Sequence, residues 1–276
     1  MKWLRFILSH SLFISLCAFS LCWQTFILLH VPVNTDICLL VFFATLGSYN
    51  FYWLISKYHF SDKRGLVDFL SKNISNVIVL LTAFGGIIYI YNPVWEVMPV
   101  IIISVLLTLA YSLPLWPFKQ LTFIRRAGFL KTILLAFTWT YVTIIIPVKQ
   151  AGLYINTAVV LLFTARFLFM LMLCIIFDSR DVTVDKIRSL SSLATAVSKR
   201  TLGIIITVVF FAYLAAGFLL RYYFTDNAQV AAFFVTGIAV LAVYRLSLQK
   251  QGYFFYYFLV DGLMLFSATA TFVASI

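Results

Sequence analysis

Long apolar runs, broken by polar clusters, follow one another along the whole chain. Nine of them stand out, at roughly 6–29, 37–56, 75–91, 97–115, 129–148, 153–177, 202–221, 229–247 and 253–275. A helix needs about 20 apolar residues to cross the hydrocarbon core of a bilayer, so each run is read as a membrane-spanning helix. Asn34 with Asp36, Asn92-Pro93 with Glu96, Lys149-Gln150 with Gly152, and Thr225-Asp226-Asn227 mark four short turns. The other four connections are longer and basic. The pattern predicts an all-α polytopic membrane protein of nine transmembrane helices, one domain over residues 1–276.

Composition narrows this further. Of 276 residues, 63% are hydrophobic and 11% charged, with mean hydropathy +1.04. A soluble domain is nearer half apolar and a quarter charged, so disordered, collagen-like and ordinary cytosolic classes are excluded. Nine crossings leave no room for a separate soluble domain. Cys17, Cys22, Cys38 and Cys174 all lie in apolar runs and form no CxxC or Cys/His cluster, which favours buried apolar roles over a disulfide framework or a zinc site.

The net charge of +11 in a soluble protein would suggest nucleic acid; here it follows the positive-inside bias, and no nucleic acid partner is expected. The N-terminus and the connections after spans 2, 4, 6 and 8 hold 17 of the 20 Lys and Arg residues. The opposite side has Lys149 and Arg221 alone, and Arg166 falls within a span. The split predicts a cytoplasmic N-terminus and a C-terminus outside, in a bacterial inner membrane or its equivalent. The first run is longer than the 7–15 residues of a signal-peptide core and lacks a small-x-small cleavage site, so it is read as a helix.

The densest polar constellation is Asp178-Ser179-Arg180-Asp181-Val182-Thr183-Val184-Asp185-Lys186, at the end of span 6. On a continuing helix, Asp178, Asp181 and Asp185 stand at i, i+3 and i+7 and share one face. Three carboxylates so placed repel one another unless a divalent cation intervenes. Mg²⁺ prefers one or two carboxylates with waters and substrate phosphate oxygens, so the run suits a Mg²⁺–diphosphate seat. It suits equally a solvated juxtamembrane cluster in which Arg180, Lys186 and Arg188 supply ion pairs. A second constellation follows span 4: Tyr111-Ser112-Leu113-Pro114, then Lys119, Arg125, Arg126, Gly128 and Lys131. These basic residues can bind phosphate or face anionic lipid head groups.

With these residues in place, the chain resembles the UbiA-type intramembrane prenyltransferases over most of its length. The likeness rests on nine helices with the N-terminus inside, on Asp178-Ser179-Arg180-Asp181-x-x-x-Asp185, and on Tyr111…Lys119…Arg125-Arg126…Gly128. It implies two four-helix units, helices 2–5 at about 37–148 and helices 6–9 at about 153–275, plus an N-terminal helix. It also implies Mg²⁺-assisted transfer of a prenyl group from a prenyl diphosphate to an aromatic or lipid acceptor drawn from the membrane lipid phase. Asp181 and Asp185 would be the catalytic carboxylates, and Asp178 would join them at the metal. Asn50, Tyr111, Lys119, Arg125 and Arg126 would contact the substrate.

One departure matters. The family's first motif, Asn-x-x-x-Asp-x-x-x-Asp, starts here at Asn50, but Leu54 and Tyr58 occupy its acidic positions. Neither can serve a hard cation. Asp62 continues the i+4 series and would reach the metal from about 6 Å further along an extended helix. Tyr49, Tyr52 and Trp53 beside Asn50 are candidates for a pocket wall. The departure supports an alternative: a catalytically impaired relative that binds prenyl lipid or acts as an assembly protein. A transporter is the third class, because Arg166 and Asp261 are ionisable residues within spans. Counted from the nearest basic connections, the two lie at similar depths, about 18 and 17 Å, and are expected to pair.

Overall fold

The structure is a computed structural model that describes residues 2–59, 65–90, 95, 97–112, 128–187, 197–223 and 226–276. Its regular secondary structure among these residues is helical. In chain order the helices are α1 (Lys2–Ser9), α2 (Leu12–Leu28), α3 (Thr35–His59), α4 (Leu66–Lys72), α5 (Ile74–Tyr89), α6 (Met98–Ser112), α7 (Gly128–Gln150), α8 (Thr157–Ile187), α9 (Lys199–Leu219), α10 (Asn227–Ser247) and α11 (Asp261–Ala274). A π-helical turn, Phe255–Val260, leads into α11.

The polar punctuation acts as helix signals. Asn34 Oδ1 accepts from the Ile37 amide at 3.1 Å, Asn156 Oδ1 from Val159 at 3.0 Å, and Asp226 Oδ1 from Gln229 at 2.8 Å. Each satisfies a backbone donor that a helix start leaves without an intrahelical partner. Gly152, at φ +68°, turns the chain after α7, a conformation that costs glycine little.

Among the described residues, six helical segments are long and apolar enough to cross a bilayer: Thr35–Tyr58, Leu130–Gln150, Thr157–Arg180, Arg200–Tyr222, Asn227–Ser247 and Phe255–Ala274. The other three expected spans fall on helices of different character. Residues 6–29 form two helices that meet at a 67° bend, with Ser11 between them at φ 62°. Helices α5 and α6 have 16 and 15 residues, so they rise only about 24 and 22 Å. Phe84 and Ile88, at 53% and 72% exposed, give α5 an apolar outer face.

Packing passes from α2 to α3 and from α3 to α5, then from α6 through α7, α8, α9 and α10 to α11, which returns to α2. At the α3–α5 contact, a Cβ on Gly86 would stand 2.6 Å from the Phe43 ring, so only glycine permits that approach. The sequence suggests an N-terminal helix added to two four-helix units. Helix α2, from the first run, takes a central place, touching α3 and α7 on one side and α11 on the other. Eleven of its 17 residues are buried, including Ser15, Ser20, Gln24 and Thr25. A helix buried all round has no apolar stripe for the sequence to display.

Candidate functional site

Helix α8 runs unbroken from Thr157 to Ile187, and its stretch apolar enough to cross a bilayer ends at Arg180. The last two turns therefore extend about 10 Å further, carrying Asp181 and Asp185 on the side of the helix that bears Asp178. The side chains of Asp181 and Asp185 lie outside the described residues. Asp178 Oδ2 accepts a 2.6 Å hydrogen bond from Thr132 Oγ1, on the first turns of α7. Thr132 is 3% exposed, so this bond fixes the Asp178 carboxylate against the α7–α8 contact.

Below Asp178 lies a band of aromatic and polar side chains. Tyr111 of α6 stacks on Tyr52 of α3 with ring centres 5.9 Å apart, and Lys131 Nζ sits 5.5 Å from the centre of the Tyr111 ring. Tyr49 meets Trp139 edge-on at 6.2 Å. Tyr111 is within electrostatic reach of Tyr52, Tyr49, Cys174 and Asp178; Tyr49 and Cys174 are in turn within reach of Asp261. Helices α3, α6, α7, α8 and α11 thus bring their polar groups to one interior region, with Asp178 at its rim and Asp261 at its far end.

Asp261 is 6% exposed and accepts no hydrogen bond through its carboxylate from the described residues. It begins α11 directly after the π-helical turn, a rare local geometry that often accompanies functional sites. Arg180 lies over the rings of Phe177, Tyr256 and Tyr257 at 5.4, 5.3 and 5.0 Å, within electrostatic reach of Asp261.

The first-motif region is occupied differently. Asn50 is 1% exposed, and its Nδ2 donates to the His10 carbonyl at 3.0 Å and the Leu46 carbonyl at 2.8 Å, while its Oδ1 accepts from Asn76 at 3.3 Å. Three of its four hydrogen-bonding positions go to joining α3, α5 and the α1–α2 bend. Leu54 is packed inside at 7% exposed, and Tyr58 is 45% exposed with its ring edge-on to Phe69. Lys57 donates to Asn73 Oδ1 at 2.9 Å and lies 3.8 Å over the Trp53 ring. Of the suggested pocket wall, Tyr49 and Tyr52 join the aromatic band, whereas Trp53 carries Lys57. Asp62, Lys119, Arg125 and Arg126 lie outside the described residues.

The expected Arg166–Asp261 pair is not formed. Arg166 Nη1 donates to the Leu21 carbonyl at 3.1 Å and Thr143 Oγ1 at 3.2 Å, and Nη2 to Gln24 Oε1 at 2.7 Å. Asp261 lies instead beside Cys17, whose Sγ donates to its backbone carbonyl at 3.4 Å. Leu21 and Gln24 are four and seven residues beyond Cys17 on α2, so the two groups sit about 6–10 Å apart in depth. Depth counted from Lys250 overstates how far Asp261 lies inside, because Gln251 and Gly252 are not helical and the π turn takes more residues per turn. Arg166→Met and Asp261→Asn should therefore reduce stability additively, within about 0.5 kcal/mol, in an unfolding titration. A larger coupling would mean that the groups interact after all.

Sequence reasoning passed over Thr132 and Gln24, uncharged polar residues within largely apolar runs. In a membrane helix their polarity is itself the usable signal, since a polar group there must find a protein partner. Among the described residues, no three His, Cys, Asp or Glu side chains are grouped to hold a metal ion. Comparisons with protein-family models, curated proteins and solved structures return no match.

Proposed function

We propose that this multi-pass membrane protein is an intramembrane prenyltransferase of UbiA type, with nine crossings and a cytoplasmic N-terminus. The observation that carries the reading is Asp178, held by Thr132 at the end of α8 above the Tyr49–Tyr52–Tyr111 band. An acidic rim over an aromatic interior is what an amphiphilic prenyl diphosphate requires. Its charged head stays at the membrane surface and its chain enters among the rings.

The donor set along α8 fits one Mg²⁺, which prefers carboxylate oxygen and keeps several positions for water and phosphate. When bound, the ion would neutralise charge on the departing diphosphate. Thr132 would orient the Asp178 carboxylate, and the faces of Tyr52 and Tyr111 would favour positive charge developing on the allylic carbon. The half-buried rings would also keep water from that carbon. The prenyl C–O bond breaks with its electron pair leaving on the diphosphate, and the new bond forms to the acceptor, which loses a proton.

Leu54 and Tyr58 remove the first motif's two carboxylates and leave Asp62 as its candidate acid, which favours an atypical or slow enzyme and keeps open a lipid-binding relative without turnover. The test uses the purified full chain with geranyl, farnesyl and geranylgeranyl diphosphate, with and without Mg²⁺ and a phenolic acceptor. Mg²⁺-dependent pyrophosphate release is expected. Binding without release would select the impaired relative, and neither binding nor release with any member of the panel would overturn both.

A further inference from the structure

Arg166 is 4% exposed near the middle of the spanning stretch of α8, twelve residues and about 18 Å from Asp178. A guanidinium has five N–H donors and no acceptor. Three are used, on the Leu21 carbonyl, Thr143 Oγ1 and Gln24 Oε1, and every one of those acceptors is neutral. The Nε–H and one Nη2–H have no acceptor among the described residues. Among the described residues no carboxylate lies within ion-pair distance of Arg166. An uncompensated charge at this depth is costly, so something should oppose it.

A small cavity adjoins the arginine, lined by Gln24, Leu162, Arg166, Phe169, Tyr213, Phe233 and Ser267. It leaves about 10 Å³ for the centre of a water-sized sphere, room for one small occupant. Its polar lining is rich in donors. Tyr213, 1% exposed, lies within electrostatic reach of Arg166. Ser267 Oγ accepts from Gln24 Nε2 at 3.1 Å, and its hydroxyl hydrogen has no acceptor among the described residues. Both Gln24 amide atoms are already bonded, Nε2 to Ser267 and Thr271 and Oε1 to Arg166. Leu162, Phe169 and Phe233 supply no acceptor. A water there could accept from the guanidinium and donate to the Tyr213 or Ser267 oxygen, but it would leave the charge of Arg166 unopposed. A monovalent anion needs donors alone and also balances the guanidinium.

We propose that this cavity binds one halide-sized anion, chloride in the cell, as the counter-ion of Arg166. The site is separate from the Asp178 rim and does not depend on the reaction carried out there. The experiment measures the melting temperature of the purified full chain while chloride is exchanged for gluconate at constant ionic strength. Wild type should gain stability saturably with chloride, and bromide should substitute. Tyr213→Phe keeps the ring and removes one donor, so half-saturation should need about tenfold more chloride. Arg166→Met should lose the response. Tyr213→Phe carries the test if that variant does not fold. Equal melting temperatures in chloride and gluconate would mean that the cavity holds only water and would overturn the proposal. A chloride response identical in wild type and Tyr213→Phe would place the ion elsewhere, with the same consequence.

Discussion

Gln24→Leu is expected to cost about 3 kcal/mol, the largest stability loss of any single uncharged residue in the helical core. Gln24 is 3% exposed on α2. Its Nε2 donates to the Ser267 carbonyl at 3.0 Å, to Ser267 Oγ at 3.1 Å and to Thr271 Oγ1 at 2.7 Å, and its Oε1 accepts from Arg166 at 2.7 Å. Hydrogen bonds between neutral groups in membrane helices average only about 0.6 kcal/mol. The bond to the guanidinium decides the outcome, since bonds to charged groups contribute about 1.5–3 kcal/mol and the arginine would lose its shortest acceptor. Gln24→Glu gives the guanidinium a carboxylate and should lose much less. Unfolding in mixed micelles followed by circular dichroism separates the two. Equal losses would show that helix packing, and not the arginine, sets the cost.

Asp181→Ala and Asp185→Ala should each reduce Mg²⁺-dependent pyrophosphate release by about 100-fold or more, at least 2.7 kcal/mol of transition-state stabilisation. Both lie beyond the stretch of α8 apolar enough to cross a bilayer, so the melting temperature should hold. Thr132→Val should cost nearer tenfold, because it frees the Asp178 carboxylate without removing it. Full turnover in both alanine variants would reduce the aspartate run to surface charge. A loss of turnover together with a lowered melting temperature would mark a folding defect instead.

The helices were legible because apolar runs and their caps are local features. Asn34 and Asp226 announce helix starts from the sequence alone, and in the structure they bond the amides three residues on. The bend at Ser11 was hidden, since the Ser9-His10-Ser11 interruption carries no Gly or Pro to mark a helix break. The central place of α2 was hidden too, because a helix buried on every side and one facing lipid have the same apolar composition. The aspartate run on α8 could be read from spacing. The Thr132 bond could not, as it joins residues 46 apart through the packing of two helices. Pairing Arg166 with Asp261 followed a sound rule about buried charge, but the rule ranks carboxylates above amides, and here Gln24 met the arginine first.

The return of α11 to α2 also bears on how the chain is made. The bonds from Gln24 to Ser267 and Thr271 join positions 243 and 247 apart. Helix α2 leaves the ribosome before the rest of the core, and its amide waits for a helix that emerges roughly ten seconds or more later at ordinary synthesis rates. Until then a polar face stays unsatisfied inside the bilayer and open to other partners, including membrane chaperones and quality-control proteases. Nascent chains stalled before Ser267 should therefore be held by the insertion machinery, and release from it should coincide with the emergence of α11.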